Sequence, residues 1–421
     1  MLLIYNIGIQ LYFYVIYAVS LFNKKAKLWI NGRKNSNYAR YENSAWFHFA
    51  SLGEFEQGRP VLERFKAQYP DKIIVMTFFS PSGYEVRKST PLADAVYYLP
   101  LDTAGNARRF IDAINPDIAI FTKYEYWYHF YNELHKRKVP VYVISAIFRP
   151  GQVFFKWYGG LHRKILSFVT YFFVQNEQSI KLLQYIGITN AAISGDTRFD
   201  RVWANAQHPK ILPAISEFKN GQKLFIAGST WPDDELLLAA LPSLYPNWKF
   251  IFAPHEISEA QIKRLVEMLP ANSAIRYSHL IGQHAPVILH DMHQTLIIDN
   301  VGMLSSLYHY GDIAYIGGGF GAGIHNTLEA AAFGLPVIFG PKYHKFKEAK
   351  DLVAMEIGFS IDNETELKNK VGFLAHDEKR FKDISQKIKQ YVKEHTGATE
   401  AIMKYITSKK AESKEQKAES L

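Results

Sequence analysis

The chain has 421 residues, 48% of them hydrophobic, which is enough for two domains with sizeable cores. It contains no cysteine, so disulfides, thiolate chemistry and cysteine-based zinc sites are excluded. The net charge of +9 suits an anionic membrane surface or a phosphorylated substrate. A basic stripe interleaved with aromatic residues is missing, so nucleic acid is not an expected partner.

The first 30 residues predict a membrane anchor helix. No charged side chain precedes Lys24, and this apolar stretch is about long enough to cross a bilayer. Tyrosines, Asn6 and Gln10 give it a polar side, so it could span the membrane, lie in its interface or form a buried helix. It lacks a basic start and a cleavage site, which argues against a signal peptide. The basic residues from Lys24 to Lys34 would keep the rest of the chain in the cytoplasm.

Short apolar runs then alternate with helical patterns, which is typical of parallel sheets covered on both faces. In residues 40–205 the predicted strands are AWFHFAS, KIIVMTFFS, AVYYLPL, DIAIFT, VPVYVISA and YFFVQNE. In residues 223–407 they are KLFIAGS, WKFIFAPH, TLIIDN, IAYIGGG and PVIFGP. The stretch between them, 206–222, has no clear period and predicts a linker, and the charged residues 408–421 predict a disordered tail. The chain therefore predicts two doubly wound α/β domains with a cleft between them.

A glycine-rich run, YIGGGFGAGIHNTLE, follows a predicted strand of the second domain. Glycine lets backbone N–H groups approach an anion, and a following helix N-terminus would add donors and partial positive charge. His325, Asn326 and Thr327 would lie near that N-terminus, and Glu329 within reach of a sugar hydroxyl. The spacing matches neither of the common nucleotide-binding glycine motifs. The run predicts a phosphate or nucleotide site, although such runs are also found in ordinary turns.

Other polar residues follow strands of the second domain and could meet the same ligand, because ligands bind beyond the carboxyl ends of parallel strands. They are Ser229, Thr230, His255, Asn300, Gly302 and Met303. The motif HDMHQ, with His290 and His293 at i, i+3 spacing, is a weak metal signal because it is one histidine pair without a carboxylate triad. No metal and no cofactor are expected.

The first domain carries two candidate catalytic acids. Glu54 follows the first strand, and Glu125, next to Trp127, follows the fourth. A carboxylate at such a position can act as a general base if its surroundings raise its pKa. The alternative is that both are solvated loop charges. The candidate acceptor-binding residues near them are Ser51, Gly53, Ser80, Ser82, Gly83 and Lys123.

These motifs, in this order, resemble the lipopolysaccharide-core transferases of 3-deoxy-D-manno-octulosonic acid (Kdo), glycosyltransferase family 30. The resemblance covers about residues 1 to 405 and depends on SLGEFE, SPSGYEVRK, YEYW, QNE, GDTRFDR, GSTWPDDE and IHNTLEAAAFGLPVIFGP. It implies a GT-B fold, in which two Rossmann-like domains face a cleft, and inverting transfer of Kdo from CMP-Kdo to the lipid A precursor, lipid IVA. It also implies a location at the cytoplasmic face of the bacterial inner membrane, with anionic lipid as a partner.

The resemblance assigns Glu54 as general base and Glu125 as a second essential acid. It implies a donor-binding set that is completed by a basic residue of GDTRFDR and by the glycine run. The set is Arg198, Ser229, Thr230, His255, Gly302, Met303, Gly318, Gly319, Gly323, His325, Asn326 and Glu329. Three positions depart from the family pattern: Lys123 replaces an acid, Ile147 replaces an arginine, and His255 stands where Arg-His is common. The alternatives are a membrane-associated GT-B transferase with another nucleotide sugar, a GT-B-like epimerase and a non-catalytic nucleotide- or lipid-binding protein.

Overall fold

The structure, a computed structural model, describes residues 1–34, 37–281 and 293–419. The chain divides into two compact units, each built on a seven-stranded parallel sheet. Residues 1–201 and 395–421 form unit 1, and residues 202–394 form unit 2. This confirms the predicted doubly wound α/β class.

The strands of unit 1 are β1 (Ser44–Phe49), β2 (Ile74–Phe78), β3 (Ala95–Tyr98), β4 (Pro116–Thr122), β5 (Val141–Ala146), β6 (Tyr171–Val174) and β7 (Ala191–Ile193). They lie in the order β3-β2-β1-β4-β5-β6-β7. The strand order reverses between β1 and β4, which makes the carboxyl ends of these two strands the switch point where ligands bind in such sheets.

The helices of unit 1 are α1 (Leu2–Val19), α2 (Lys24–Gly32), α3 (Leu52–Gln68), α4 (Pro81–Arg87), α5 (Ala104–Ile114), α6 (Tyr128–Lys136), α7 (Gly160–Leu166) and α8 (Glu177–Tyr185). Helix α9 (Thr197–Gln207) begins in unit 1. The sheet separates two apolar cores because successive side chains of a strand point to opposite faces. Trp46 lies in one core, and Phe47 and Phe49 lie in the other, all fully buried.

In unit 2 the strands are β8 (Lys223–Thr230), β9 (Trp248–Pro254), β10 (Ala274–Arg276), β11 (Thr295–Ile297), β12 (Ile313–Ile316), β13 (Val337–Phe339) and β14 (Gly358–Ser360). They lie in the order β10-β11-β9-β8-β12-β13-β14, with the switch point between β8 and β12. The helices are α10 (Pro213–Lys219), α11 (Pro232–Leu238), α12 (Leu241–Leu244), α13 (Glu259–Met268), α14 (Tyr277–Leu280), α15 (Leu304–Leu307), α16 (Leu328–Ala331), α17 (Lys347–Ala354), α18 (Glu364–His376) and α19 (Glu378–Glu394).

The eleven strands predicted from apolar runs are present, and the pattern missed β7, β10 and β14. Each of these three strands has three residues and lies at an edge of its sheet. Edge strands are paired on one side only and are partly exposed, so they need no continuous apolar run. For this reason the sequence pattern does not reveal them.

The boundaries between the two units differ from the domain boundaries that the sequence pattern predicted. The predicted linker, 206–222, contains helix α10, whose Ile215 and Phe218 are fully buried in unit 2. Lys219 Nζ also donates to Asp312 Oδ2 at 2.9 Å. The segment lacks a long apolar period because α10 has only seven residues, two of which supply its buried face.

The C-terminal residues return to unit 1 as helix α20 (Ala398–Glu419), although residues up to 407 were predicted in the second domain. Ile402, Met403 and Ile406 are buried in the core beside Phe47. Gln68 Nε2 donates to Thr407 Oγ1 at 2.9 Å. Residues 408–419, predicted to be disordered, continue this helix, and the last two residues lie outside the described part of the chain. An amphipathic period identifies such a helix but does not show which sheet it covers.

Helix α1 is long and apolar enough to cross a membrane by length and composition. Its residues Leu3, Ile4, Ile7 and Leu11 are exposed. Its other side contacts unit 1: Tyr5 donates through its hydroxyl to Asp102 Oδ2 at 2.5 Å, and the Asn6 side chain is 2.7 Å from His129 Nε2.

Candidate active site

The two predicted catalytic acids follow neighbouring strands at the switch point of unit 1. Glu54 lies in the first turn of α3, directly after β1, and Glu125 lies in the turn after β4. Because β1 and β4 are paired in parallel, their carboxyl ends lie side by side. The fold thus places both acids at the edge of the sheet where ligands bind.

The environment of Glu54 changes its acidity. Burial, followed by the negative charge of Glu125, raises the pKa of Glu54 to about 7. The Ala50 backbone N–H, which donates to Glu54 Oε2 at 2.7 Å, and the charge of Lys123 oppose this change. A carboxylate with a pKa near 7 can accept a proton near neutral pH, which is what a general base requires.

Glu125 is held by two ring N–H groups. Its Oε2 accepts from Trp127 Nε1 at 2.9 Å and lies 3.0 Å from His48 Nε2. The side chain of Glu125 is 12% exposed, whereas that of His48 is fully buried. Two ring N–H groups at one oxygen therefore fix the orientation of the Glu125 carboxylate.

Lys123 and Arg198 contribute positive charge within unit 1. The charge of Lys123 lowers the pKa of both Glu54 and Asp196, which places this lysine close to the acids. Arg198 donates from Nε and from Nη2 to Asp196 Oδ2, at 2.9 and 2.7 Å respectively. Although burial opposes it, the charge of Arg198 holds the pKa of Asp196 below its usual value. Arg198 is therefore held in place by a buried carboxylate, and its contact with a donor phosphate stays a prediction.

The remaining predicted acceptor residues lie at helix starts. Ser51 precedes α3 and Ser80 precedes α4, where the Ser80 side chain accepts from the Ser82 backbone N–H. A methyl group on Gly53 would have no neighbour closer than 3.9 Å, whereas one on Gly83 would lie 2.2 Å from the Phe78 ring. Gly83 is thus explained by packing, and Gly53 leaves open space beside Glu54.

In unit 2 the glycine run after β12 packs against the end of β8 and against the residue that follows β13. A methyl group on Gly317 would lie 2.2 Å from the Ser229 backbone oxygen, and one on Gly319 would lie 2.6 Å from the Gly340 backbone. Gly318 has a φ of +92°, and its N–H donates to Asp234 Oδ2 at 2.8 Å. Several N–H groups of the run are therefore used within the protein, and Gly317 and Gly319 serve close backbone packing.

The helix expected after this run is shorter than predicted. Helix α16 has four residues, Leu328–Ala331, and the chain turns at Gly334, which has a φ of +80°. A four-residue helix has almost no aligned peptide dipoles, so the predicted electrostatic effect of a helix N-terminus is largely lost.

We expect Gly317→Ala to destabilise unit 2 by about 3 kcal/mol or more, because the new methyl group meets backbone that cannot rotate away. Gly321→Ala is the matched control in the same run, since its methyl group would have no neighbour closer than 3.7 Å. Chemical denaturation of both variants measures the difference. Equal stability of the two variants would show that close packing does not explain Gly317.

Three rings stack at the switch point of unit 2. The Trp231 and His255 rings are 4.7 Å apart, and the His255 and His325 rings are 4.4 Å apart. Trp231 Nε1 donates to His325 Nε2 at 3.1 Å, which leaves the His325 proton on Nδ1. Burial and the neighbouring His255 lower the pKa of His325 to about 4. His325 is therefore a neutral donor at physiological pH.

The other predicted donor residues lie beside this stack in the chain. Asn326 Nδ2 donates to Glu329 Oε1 at 3.0 Å, and the Thr230 hydroxyl donates to Glu235 Oε1 at 3.1 Å. Ser229 and Gly302 have positive φ angles, and Met303 is buried. Gly323, with a φ of +131°, closes the glycine run. Their contacts with a donor remain predictions.

Sequence reasoning missed several residues that organise the site, namely His48, Trp231, Asp196 and Asp234. The available signal was a polar residue within or directly after an apolar strand, such as His48 in AWFHFAS. Asp234 accepts the Tyr315 hydroxyl at 2.7 Å and the backbone N–H groups of Gly318 and Trp231.

Within residues 1–34, 37–281 and 293–419, no group of three or more histidines and acids could hold a metal ion. His290 of the weak metal motif lies outside the described residues.

Comparison with solved structures identifies the fold. UDP-GlcNAc 2-epimerase from Neisseria meningitidis matches with a TM-score of 0.60 and 14% identity, covering 87% of this chain and 100% of that chain. The epimerase from Methanocaldococcus jannaschii matches with a TM-score of 0.53 and 16% identity, covering 80% and 93%. At such identities the likeness shows the fold alone. Together with the two Rossmann-like units, it defines a protein of the GT-B class.

Comparison with protein families and with curated proteins indicates the class of enzyme. The model of the 3-deoxy-D-manno-octulosonic-acid transferase (kdotransferase) family matches residues 24–201. The Kdo transferase of Aquifex aeolicus is 29% identical over 349 residues, covering 81% of this chain and 88% of its relative. That of Haemophilus influenzae is 27% identical and covers 72% of each chain. The chain is thus similar to Kdo transferases over most of its length, and it is a glycosyltransferase.

Proposed function

We propose that this protein transfers Kdo from CMP-Kdo to the lipid A precursor lipid IVA, with inversion at the anomeric carbon. The observation that carries the proposal is Glu54, whose pKa burial and the neighbouring Glu125 raise to about 7 at the switch point of unit 1. A transferase with an activated donor needs a base for the acceptor hydroxyl and little further covalent chemistry.

In the proposed step, the acceptor hydroxyl attacks the anomeric carbon of Kdo from the face opposite to CMP. The new carbon–oxygen bond forms as the bond to the CMP phosphate breaks, and CMP leaves with the bonding electrons. The hydroxyl proton moves to Glu54. Glu125, held by Trp127 and His48, supplies the negative charge that keeps Glu54 basic.

Unit 2 would hold the donor. The neutral His325 can donate its Nδ1–H to an anionic group, because Trp231 occupies Nε2. Glu329 offers carboxylate oxygens to sugar hydroxyls, and Asn326 orients it from 3.0 Å. In unit 1, Asp196 holds the guanidinium of Arg198, which is a further candidate to bind an anionic group of a substrate.

We further propose that α1 attaches the enzyme to the cytoplasmic face of the inner membrane and lies in the interface. The contacts of Tyr5 with Asp102 and of Asn6 with His129 support this, because a helix held to unit 1 near its first turn does not leave for the opposite leaflet. Its opposite side is apolar, and Lys24, Lys25 and Lys27 follow it, as an anionic lipid surface would require.

Transfer itself is tested with detergent-solubilised protein, CMP-Kdo and a tetraacylated lipid A precursor, followed by mass spectrometry of the lipid. An increase by one or more Kdo units is expected. Cytidine and uridine monophosphate are compared by thermal shift in parallel, since the fold neighbours act on a UDP-sugar. Stabilisation by the uridine nucleotide alone, without Kdo transfer, would favour the alternative of a different nucleotide sugar.

The pH dependence is a second test. We expect kcat/KM to rise with pH and to level off above an apparent pKa near 7, because only ionised Glu54 accepts the hydroxyl proton. Initial rates between pH 5.5 and 9, at subsaturating donor and acceptor, measure this. A rate that is constant across that range would rule out a base with the acidity of Glu54.

A further inference from the structure

Behind Glu125, a buried chain of polar side chains crosses the core of unit 1. Trp46 Nε1 donates to Thr77 Oγ1 at 2.8 Å, and Thr77 Oγ1 lies 2.8 Å from His48 Nδ1. His48 Nε2 lies 3.0 Å from Glu125 Oε2. Trp46, Thr77 and His48 are all fully buried. Buried polar groups in an aromatic core cost stability unless they are paired, so such a chain calls for a function.

The donors and acceptors of this chain determine where the His48 proton lies. A carboxylate oxygen can only accept, so the hydrogen bond between His48 Nε2 and Glu125 requires the proton on Nε2. Nδ1 of the neutral ring is then an acceptor, and the Thr77 hydroxyl, which accepts from Trp46 Nε1, donates to it.

We infer that His48 is a positioning residue for Kdo transfer, which orients the Glu125 carboxylate at the switch point and acts on Glu54 through it. The inference deepens the proposed function and depends on it. His48 is buried and meets neither substrate, so it acts through Glu125. Trp127, which donates to the same oxygen at 2.9 Å, completes the support.

The surroundings of the two acids contain few other ionisable groups. Besides Glu125, the influences on Glu54 are burial, the backbone N–H groups of Ala50 and Ser51, and the charge of Lys123, while the charge of Glu54 reaches Tyr124. The charge of Glu125 reaches Tyr12 of α1, Tyr126 and Tyr131. Tyr131 donates to the backbone oxygen of Glu125 at 2.7 Å and not to its carboxylate. Within the described part of the chain, His48 and Trp127 hydrogen-bond to that carboxylate through their ring N–H groups.

Loss of the His48 donor makes the Glu125 carboxylate easier to protonate. As the pH falls, either Glu54 or Glu125 can then take up the first proton. The higher of the two apparent pKa values of this pair therefore rises. We expect His48→Phe to lower kcat at pH 7 by about 10- to 100-fold, the equivalent of one hydrogen bond to a charged group. We also expect the rising limb of the pH–rate profile to move to higher pH.

The test compares full-length wild-type protein with His48→Phe, His48→Gln and Trp127→Phe in the lipid-mass assay between pH 5.5 and 9. The amide Nε2 of Gln can occupy the place of the imidazole Nε2, so His48→Gln should recover part of the rate and return the limb toward its original position. Trp127→Phe, which removes the second donor, should move the limb in the same direction as His48→Phe. His162→Phe is the matched control, because His162 packs against Phe154 in the same unit and is not bonded to either acid.

A purely structural His48 would lower the rate at all pH values without moving the limb, and this result would overturn the inference. Unchanged rates in folded His48→Phe would overturn it as well. If His48→Phe does not fold, His48→Gln and Trp127→Phe decide the outcome by the position of the limb. Absence of transfer by the wild-type protein would instead overturn the proposed function, and this inference with it.

Discussion

Glu54→Gln is expected to lower the rate of Kdo transfer by about 10²–10⁴-fold, the usual cost of losing a general base. The amide oxygen can still accept the Ala50 N–H, which donates to Glu54 at 2.7 Å in the wild type, so the start of α3 should keep its geometry. The variant removes proton acceptance and leaves the shape of the site intact. Lipid mass spectrometry under single-turnover conditions measures the chemical step.

The same substitution should stabilise the protein above pH 7. The pKa of Glu54 is raised from 4.5 to about 7 on folding, so the folded state holds a proton that the unfolded state has already lost. Stability therefore falls as the pH rises from about 4.5 to 7, by up to about 3 kcal/mol, and Gln escapes this loss. The unfolding temperature of Glu54→Gln should exceed that of wild type by several degrees at pH 8 and by little at pH 4.5.

Together these measurements separate a catalytic role from damage to the fold. A variant that retained most of the transfer rate would remove Glu54 from the mechanism. An inactive variant that was also less stable at pH 8 would show that the loss had come from the fold and not from the missing base.

Removal of residues 1–22 should release the protein from membranes and leave unit 1 folded. The cut lies before Asn23, whose side chain accepts the Ala26 N–H at the start of α2. A cut at Arg40 would also remove Arg33, which donates to the backbone oxygens of Leu99 and Phe79 and stacks on Trp29 at 3.8 Å. Co-sedimentation with vesicles of anionic phospholipid measures the partition.

The matched control keeps α1 and changes only its exposed side. Ile4→Ser, Ile7→Ser and Leu11→Ser in one variant leave the contacts of Tyr5 and Asn6 with unit 1 in place. This variant should lose vesicle binding to nearly the same extent as the truncation. The three serines remove the apolar side chains that α1 would insert into the membrane. Equal sedimentation of wild type, truncation and triple variant would place the membrane contact elsewhere.

The truncation also tests a connection between α1 and the site. The Tyr12 ring lies 6.2 Å from Phe79, the Phe79 ring stacks 5.0 Å from Trp127, and Trp127 donates to Glu125. Transfer measured with a detergent-dispersed acceptor removes the need for membrane binding. A lower kcat of the truncation under these conditions would show that α1 supports Glu125 as well as the membrane contact.

Much of the fold could be predicted from the sequence because parallel strands that are buried on both faces leave continuous apolar runs. Glu54 and Glu125 could be selected for a related reason, since residues that directly follow such strands gather at one edge of the sheet. The family could be identified because its motifs occur in order along two domains. Each of these features is local in sequence and needs no knowledge of distant contacts.

Tertiary structure decided what depends on distant partners. Helix α20 joins unit 1 because Ile402 and Ile406 fill its core, although the intervening unit 2 separates them from α3 in sequence. Gly317 is required by the backbone of Ser229, 88 positions earlier in the chain. His48 became part of the site only when β2 brought Thr77 to one ring nitrogen and the turn after β4 brought Glu125 to the other. The sequence by itself determined which residue types stand at the ends of the strands, and the packing of the strands determined the acidity and the orientation of those residues, because both depend on burial and on neighbours that are far apart in the chain.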